Sequence, residues 1–580
     1  MADTIDANKI LVGKVFEKWY MVPNYQRQYV WEEEEVNDLL RDICDMYREK
    51  NDAQFFLGTY VFRKHVYTPP DGAESYEQND LLDGQQRLTT LWLIFAVIRD
   101  ITDDEELRDT CAQNVMQKGS KLRKKPEISR ITFAEGMRES VQEFADNFIK
   151  PTGGTLKEDE IIEFVRNHKK NVSIVNLANA ISTIRKFWDG SSEVPPFDFV
   201  QYLLNNVLMI YVSTEDFSDA FRLFTVLNDR GVQLRSSDIL KTQNLAVVEN
   251  PKEQNDYAIF WEDAETRLGD EFDRFLNHIR TILVKEKAKA TLLAEFEDKI
   301  YHPKDGKTGL DKEPLMHKGK ETFNFIKKYL DAYESLFDND HNDACGDYKF
   351  DNLKSLMVYA AASSDWVPPL LSYYSRFGLK QIKAFFTKLV RKFIGDWLSQ
   401  ITTTDRIEQM NHVLKEIEAC ATPDQLFATN VFDFKKAEVA KVLDGTVYGR
   451  RFALALVLLM DYMLKDHAEK MTFSRVSIEH ILPQTPKDGS NWRRDFTDDQ
   501  RADWQDRIGN LIAMSGSKNA SQGRLDYGAK CEKYFAKRIP GFAHSQQVMQ
   551  NYKKWTMDEL RENQRKSVQL LNEFFWGERL

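Results

Sequence analysis

The chain has 580 residues, which is more than one hydrophobic core usually organises, so two or three domains are expected. It contains no internal repeat and no low-complexity linker that would mark sharp boundaries. Hydrophobic patterns divide it into three regions. Residues 1–245 mix β-rich segments, such as 55–62, with helical ones, such as 88–99. Residues 246–440 are a series of amphipathic helices, and 441–580 combine a buried helix, two strand-like segments and terminal helices. The sequence therefore predicts a multidomain α+β protein with a helical middle.

The charge balance limits how the chain could meet a polyanion. The formal net charge is −11 and the sequence pI is about 5.6. A protein that only coats nucleic acid is usually basic, because neutralising phosphates supplies most of the non-specific affinity. The balance argues against passive coating but allows a local basic surface. The lysine- and arginine-rich stretches at 118–125 and 166–170 are candidates, although a solvated face is the simpler interpretation of each.

Cysteine usage and hydropathy indicate a reducing setting. The five cysteines are scattered and form no Cys-x-x-Cys pair, so neither a cysteine zinc site nor a disulfide framework is predicted. The first residues are acidic and lack a signal-peptide core. The apolar run from Phe452 to Met460 is too short to cross a bilayer and predicts a buried helix. We expect a cytoplasmic protein that does not enter a membrane.

Two short segments near the C-terminus carry residues suited to phosphodiester chemistry. Alternating residues from Val476 predict a strand that bears Glu479 and His480 and stops before Pro483. Neighbours on a strand point to opposite faces unless its end twists. A second strand-like piece begins at Ile508 and contains Asn510.

The residue types at these positions fit metal-assisted hydrolysis. Imidazole has a pKa near neutrality and can deprotonate an attacking water. One divalent ion can stabilise charge at the scissile phosphate and at the leaving oxygen. Carboxylate and amide oxygens suit Mg²⁺ or Mn²⁺ better than a thiolate-seeking ion.

Three N-terminal elements predict an anion-binding site. The segment from Asp80 to Leu91 is typical of a strand, a glycine turn and a helix start, where Gly84 permits close approach and the helix amides, with Arg87, face an anion. Upstream, aromatic residues surround an arginine in a pattern that can stack a base and bind phosphate. A polar turn at 228–231 is the third element. The candidate nucleotide-binding residues are Tyr25, Arg27, Asp83, Gly84, Gln85, Gln86, Arg87 and Thr89, with Asn228 and Arg230 as further candidates.

These motifs resemble the GmrSD-type restriction factors and the related SspE-type phage-defence proteins, at both ends of the chain. The resemblance implies an N-terminal ParB/sulfiredoxin-like domain with an Asp-Gly-Gln-Gln-Arg signature and use of a nucleoside triphosphate. It also implies a C-terminal HNH, or ββα-metal, nuclease. By that resemblance Glu479 and Asn519 would bind the metal, His480 would be the general base, Asn510 would orient His480, and Lys530 is a further candidate.

The resulting hypothesis is a nucleotide-regulated, Mg²⁺- or Mn²⁺-dependent endonuclease that restricts modified or foreign DNA, with NTPase activity. Two alternatives stay open: a nucleotide-dependent DNA-binding switch that does not cut, and a metal-dependent ribonuclease toxin. The sequence does not choose between a monomer and a homo-oligomer, nor does it say whether nucleotide activates or inhibits cutting.

Overall fold

The structure is a computed structural model, and it describes residues 6–23, 26, 28–67, 75–119, 127–134, 138–169, 171–189, 194–214, 235–515, 524–536 and 541–577. These residues form two compact units, Met1–Asp273 with Lys318–Lys320, and Arg274–His317 with Glu321–Leu580. The first contains a mixed sheet and helices, and the second is mostly helical with one small sheet. The predicted α+β class with a helical middle is confirmed. The division at 245 and 440 stays a prediction.

A six-stranded mixed sheet organises the first unit. Its strands are β1 (Asp6–Leu11), β2 (Tyr20–Val22), β3 (Phe55–Tyr67), β4 (Tyr76–Asp83), β7 (Ile131–Phe133) and β8 (Val207–Thr214), and the short β5 (Met116–Gln117) and β6 (Ile128–Ser129) pair separately. The strand order in the sheet is β1-β8-β3-β4-β2-β7. The pairs β1–β8 and β3–β4 are antiparallel, whereas β3–β8, β2–β4 and β2–β7 are parallel.

The helix Gln85–Ile101 forms the centre of this unit. Its residues from Leu88 to Ile98 are apolar except for two threonines, and all are buried. A helix that is apolar on every face is stable only when other elements surround it. Those elements include the helices Glu105–Val115 and Val172–Asp189. The predicted helix at Leu88–Arg99 and the predicted strand at Phe55–Phe62 are both confirmed.

The remaining helical elements up to residue 271 are mostly short. They are Val12–Val15, Glu33–Glu49, Glu139–Phe144, Ala145–Ile149 (π), Gly154–Leu156 (3₁₀), Glu158–Asn167, Pro196–Asn205, Ser236–Leu245, Pro251–Leu268 and Gly269–Glu271 (3₁₀).

From residue 272 to 464 the described elements are all helical. They are Phe272–Val284, Leu292–Glu295, Phe296–Tyr301 (π), Lys320–Phe337, Asn342–Cys345, Lys349–Ala360, Val367–Phe377, Ile382–Leu398, Thr403–Ala419, Pro423–Phe427, Lys436–Leu443 and Ala453–Leu464. None of the described helices combines the length and apolar character needed to cross a bilayer.

The C-terminal part of the second unit is built around the helix Ala453–Leu464. This is the buried helix that the apolar run predicts, and nine of its residues are buried. It packs against two strands, β9 (Val476–His480) and β10 (Leu511–Ser515), and against two of the helices that follow. The other helical elements are Asn491–Asp495, Asp498–Trp504, Ile508–Asn510 (3₁₀), Tyr527–Ala536, Ala543–Asn551 and Met557–Trp576.

Candidate functional site

The antiparallel pair β9–β10 positions the C-terminal candidates. His480, the last residue of β9, lies opposite Leu511, the first residue of β10, and Glu479 lies opposite Ile512. Both predicted strands are therefore present and adjacent, but the second begins at Leu511. Ile508–Asn510 forms a 3₁₀ turn, so the prediction that Asn510 lies on the strand is wrong. Successive side chains on a strand point to opposite faces, so Glu479 and His480 have different neighbours.

His480 forms a pair with a carboxylate that the sequence did not suggest. Its Nε2 lies 2.9 Å from Oδ1 of Asp506, which also accepts a hydrogen bond of 2.9 Å from Nε2 of Gln484. The ring of Tyr448 packs edge-on against the imidazole, with the centroids 4.1 Å apart. Burial lowers the pKa of His480, and Asp506 opposes that effect. The imidazole is thus held in one orientation and is neutral near pH 7.

The pairing also determines which nitrogen can act as a base. An ionised carboxylate only accepts hydrogen bonds, so Nε2 of His480 must carry the proton that Asp506 receives. The lone pair of the neutral ring then lies on Nδ1. Among the described residues, none forms a hydrogen bond with that nitrogen. The arrangement leaves Nδ1 ready to take a proton.

Glu479 lies beside a buried lysine on the other face of the strand. Nζ of Lys530 is 2.9 Å from Oε1 of Glu479 and donates a 2.6 Å hydrogen bond to the main-chain oxygen of His480. The lysine side chain is completely buried. Burial lowers the pKa of Lys530, and Glu479 opposes the shift. Lys530, a further candidate from the sequence, therefore links both residues of the Glu-His pair.

Asn510 acts on the main chain beyond His480. Its Oδ1 accepts from the amide of Leu482 at 2.8 Å, and its Nδ2 donates to the carbonyls of Leu482 and Gln505 at 2.9 and 2.7 Å. The family resemblance implies that Asn510 orients His480. Its side chain makes no hydrogen bond to the imidazole, so we attribute any such effect to the backbone that follows β9.

Gly509 joins this region to the helix Met557–Trp576. A Cβ at Gly509 would lie 2.4 Å from Cα of Gln564, so only glycine fits. The Gly509 amide donates to Oε1 of Gln564 at 2.7 Å, and its carbonyl accepts from Nδ2 of Asn563 at 2.7 Å. Gly509 thus packs the segment that contains Asn510 against the helix Met557–Trp576.

The metal-ligand set is only partly within the described residues. Asn519 lies outside them. Within the described parts of the chain, no group of three or more His, Cys, Asp or Glu side chains is arranged to hold a metal ion. Oε1 of Glu479 accepts a hydrogen bond from Lys530, whereas its Oε2 makes no hydrogen bond to a described residue.

The N-terminal motif has the predicted strand–turn–helix form. Gly84, with a φ of 80°, ends β4 and precedes the helix Gln85–Ile101. A Cβ there would lie 2.5 Å from Cβ of Tyr60. The Arg87 guanidinium lies against Gly58 and donates to the carbonyl of Thr59 at 3.3 Å. Burial lowers the pKa of Arg87, and Asp83 opposes this.

Several polar side chains of the motif have structural contacts. Oε1 of Gln86 accepts from the amides of Val30 and Trp31 at 2.9 and 3.3 Å, and its Nε2 donates to the carbonyl of Gln28 at 2.8 Å. Gln85 and Thr89 are buried. Gln86 therefore fixes the upstream aromatic segment, a role that the sequence did not reveal. Tyr25, Arg27, Asn228 and Arg230 lie outside the described residues.

Comparison with protein families gives two matches in the order that the motifs suggest. Residues 8–245 match the N-terminal domain of the GmrSD restriction endonuclease, and residues 434–569 match the C-terminal domain of GmrSD restriction endonucleases. Comparison with individual curated proteins gave no significant match. The two domain matches together cover more than half of the chain, and the site on β9 and β10 falls within the second. The chain therefore belongs to the GmrSD family of restriction endonucleases, which are DNA endonucleases that restrict modified DNA.

Proposed function

We propose that the protein cuts DNA at a metal-dependent HNH-type centre formed by Glu479 and His480, under the control of a nucleotide bound by the N-terminal domain. The observation that carries the nuclease part is the His480–Asp506 pair at the end of β9, directly after Glu479. A fixed imidazole beside a carboxylate is the arrangement that general-base hydrolysis requires.

In this proposal His480 removes a proton from the attacking water through Nδ1. The imidazolium formed is stabilised by the carboxylate of Asp506, which already receives the Nε2–H. Gln484 donates to the same carboxylate oxygen and limits its rotation. Asn510 fixes the main chain at Leu482, just past the base. Each contact reduces the motion of the base before the reaction begins.

The residues present fit a hard divalent ion with few protein ligands. Mg²⁺ commonly keeps several waters and binds through one or two protein carboxylates together with substrate phosphate. Glu479, through Oε2, and Asn519 would hold the ion. When bound, it would supply positive charge to the scissile phosphate and to the leaving oxygen.

Chelation tests the metal requirement. We expect plasmid DNA to be cut in Mg²⁺ or Mn²⁺, to stay intact in EDTA, and to be cut again after Mg²⁺ is restored. Glu479→Gln should require a higher Mg²⁺ concentration for half-maximal cutting, because a neutral amide binds the ion more weakly than a carboxylate does. Modified and unmodified plasmids are compared by the rate at which supercoiled DNA disappears. Full activity in EDTA would contradict the proposal.

Nucleotide control is the second part of the proposal. It is supported by the glycine turn at Gly84, by the start of a 17-residue helix whose first amides can face an anion, and by the Arg87 guanidinium beside it. The backbone at Gly58, where the Arg87 guanidinium packs, also has a positive φ of 129°. The ligand class proposed is a nucleoside triphosphate.

Arg87→Ala tests whether the turn at Gly84 and the start of the following helix bind a triphosphate. We expect weaker triphosphate binding or hydrolysis, because a guanidinium on phosphate contributes charge-assisted hydrogen bonds worth ~1.5–3 kcal/mol. Cutting should also change although the nuclease residues are intact, since coupled sites influence each other. Phosphate release and plasmid cleavage are measured with each triphosphate. Arg48→Ala, which removes a half-exposed arginine of the helix Glu33–Glu49, is the control and should bind triphosphate and cut like wild type. If wild type binds no triphosphate and Arg87→Ala cuts normally, the Gly84 turn and Arg87 have a structural role only.

The proposed setting is the cytoplasm, where the DNA substrate of a restriction enzyme lies. All five cysteines are free thiols, as a reducing compartment requires.

A further inference from the structure

Two arginines lie over the ring of Trp504, which precedes Asp506 by two residues in the chain. The guanidinium of Arg507 lies over the ring of Trp504 at 4.4 Å from its centroid, and that of Arg561 lies over the same ring at 5.7 Å. Trp504 is partly buried and packs against the C-terminal hydrophobic core, so the ring has a fixed position. We call Trp504, Arg507 and Arg561 the arginine platform.

Within the described residues, no carboxylate pairs with the platform cations. Arg507 donates to the main-chain carbonyls of Asp503 and Asp444, both at 2.9 Å, and Arg561 is exposed. Within the described parts of the chain, neither arginine forms an ion pair with an acidic side chain. Two like charges held against one ring raise the local positive potential, which favours a nearby anion.

A second pair of arginines follows closely in the chain after a loop that contacts Asp506 and His480. The amides of Val447 and Tyr448 donate to the main-chain oxygen of Asp506 at 2.8 and 3.0 Å, and the Tyr448 ring packs on His480. Arg450 and Arg451 follow in this loop; both are exposed, and neither pairs with a described acidic residue. Both segments that contact His480 therefore carry arginines within a few residues of the contact.

We infer that the arginine platform, with Arg450 and Arg451, is where the DNA backbone of the substrate binds, and that it places a phosphate beside His480. The inference rests on the proposed nuclease site. Because the whole chain carries a net charge of −11, long-range electrostatics do not favour DNA binding, and local cations must supply the attraction. Arginine suits this role, since its planar fork binds phosphate while its face stacks on an aromatic ring.

The test is DNA binding without cutting. A fluorescently labelled DNA duplex is titrated with the full chain in EDTA at several salt concentrations, and anisotropy gives Kd. We expect Arg561→Glu to raise Kd about tenfold near physiological salt. The plot of log Kd against log salt should become shallower by about one unit, as for the loss of one phosphate contact. The effect should be equal for different DNA sequences, because phosphate contacts carry no sequence information.

Lys415→Glu is the matched control. Lys415 is an exposed cation on the helix Thr403–Ala419, and its replacement makes the same change in charge. We expect a Kd close to that of wild type. Arg561 is exposed, so its replacement should leave the melting temperature nearly unchanged. If Arg561→Glu binds like wild type, or if Lys415→Glu weakens binding equally, the inference is wrong. It is also wrong if Arg561→Glu weakens binding of duplex RNA and not of DNA.

This experiment separates the platform from the catalytic proposal. Binding in EDTA does not need His480, so His480→Ala should bind DNA like wild type. A platform that binds DNA in a protein that does not cut would overturn the proposed nuclease only. Normal binding by Arg561→Glu in a protein that cuts would overturn the platform only.

Discussion

Replacing His480 by Ala should reduce the rate of DNA cutting ~10²–10⁴-fold, which is the usual contribution of a general base. The reason is geometric, since Nδ1 of His480 is the basic nitrogen left open once Nε2 is held by Asp506. An alanine also leaves Asp506 without an imidazolium to stabilise. The rate is measured as the initial loss of supercoiled plasmid in Mg²⁺ at saturating protein.

Two controls show whether a loss of cutting by His480→Ala comes from the chemical step or from misfolding. His412 is an exposed histidine of the helix Thr403–Ala419, and His412→Ala should cut at the wild-type rate. The melting temperature of His480→Ala should stay within a few degrees of wild type, because Asp506 is about one-quarter exposed and keeps its hydrogen bond from Gln484. A normally folded His480→Ala that cuts at the wild-type rate would show that the base is elsewhere.

Lys530→Met should be the most destabilising substitution in the site. It removes the partner of Glu479 from a position where the lysine is completely buried and the carboxylate is about one-tenth exposed. Breaking a buried pair in this way typically costs ~3–5 kcal/mol, because an uncompensated charge remains. The hydrogen bond from the Lys530 ammonium to the main-chain oxygen of His480 is lost as well. Urea denaturation of the purified chain, followed by tryptophan fluorescence, measures the free energy of unfolding.

The double variant Lys530→Met/Glu479→Gln separates the effect of the lost ion pair from the effect of altered side-chain packing. Removing the carboxylate charge should restore part of the lost stability, since the penalty arises from the charge left behind. Lys533→Met, an exposed position on the same helix, should change stability by no more than ~0.5 kcal/mol. If Lys530→Met unfolds at the same urea concentration as wild type, Lys530 does not stabilise Glu479.

The sequence predicted elements whose signals are local. At Gly84 a strand, a left-handed turn and an apolar helix follow one another within one segment, and each has its own residue preference. The alternation before Pro483 likewise predicts β9, and the apolar run at Phe452–Met460 predicts a buried helix. In such cases periodicity and turn chemistry decide the structure without knowledge of distant partners.

The contacts that define the site could not be predicted in this way. Asp506 is 26 residues from His480, and Lys530 is 51 residues from Glu479. Neither spacing has a local signature, because the loops and helices between these residues decide which side chains meet. Asn510 illustrates the same limit, since its residue type predicts hydrogen bonding but not that the partner is the main chain of Leu482.

Because Gly509 packs against Gln564, the candidate site is completed only by a segment that is synthesised later. His480 and Asn510 leave the ribosome well before the helix Met557–Trp576, whose Gln564 receives the Gly509 amide and donates to the Leu443 carbonyl at 3.1 Å. Until that helix has emerged, these buried polar groups lack their partners, and the packing of Gly509 beside Asn510 is incomplete. A nascent or truncated chain should therefore hold its histidine and its asparagine without a working centre. A cell that makes this enzyme would be exposed to its cutting activity only after translation has passed residue 564.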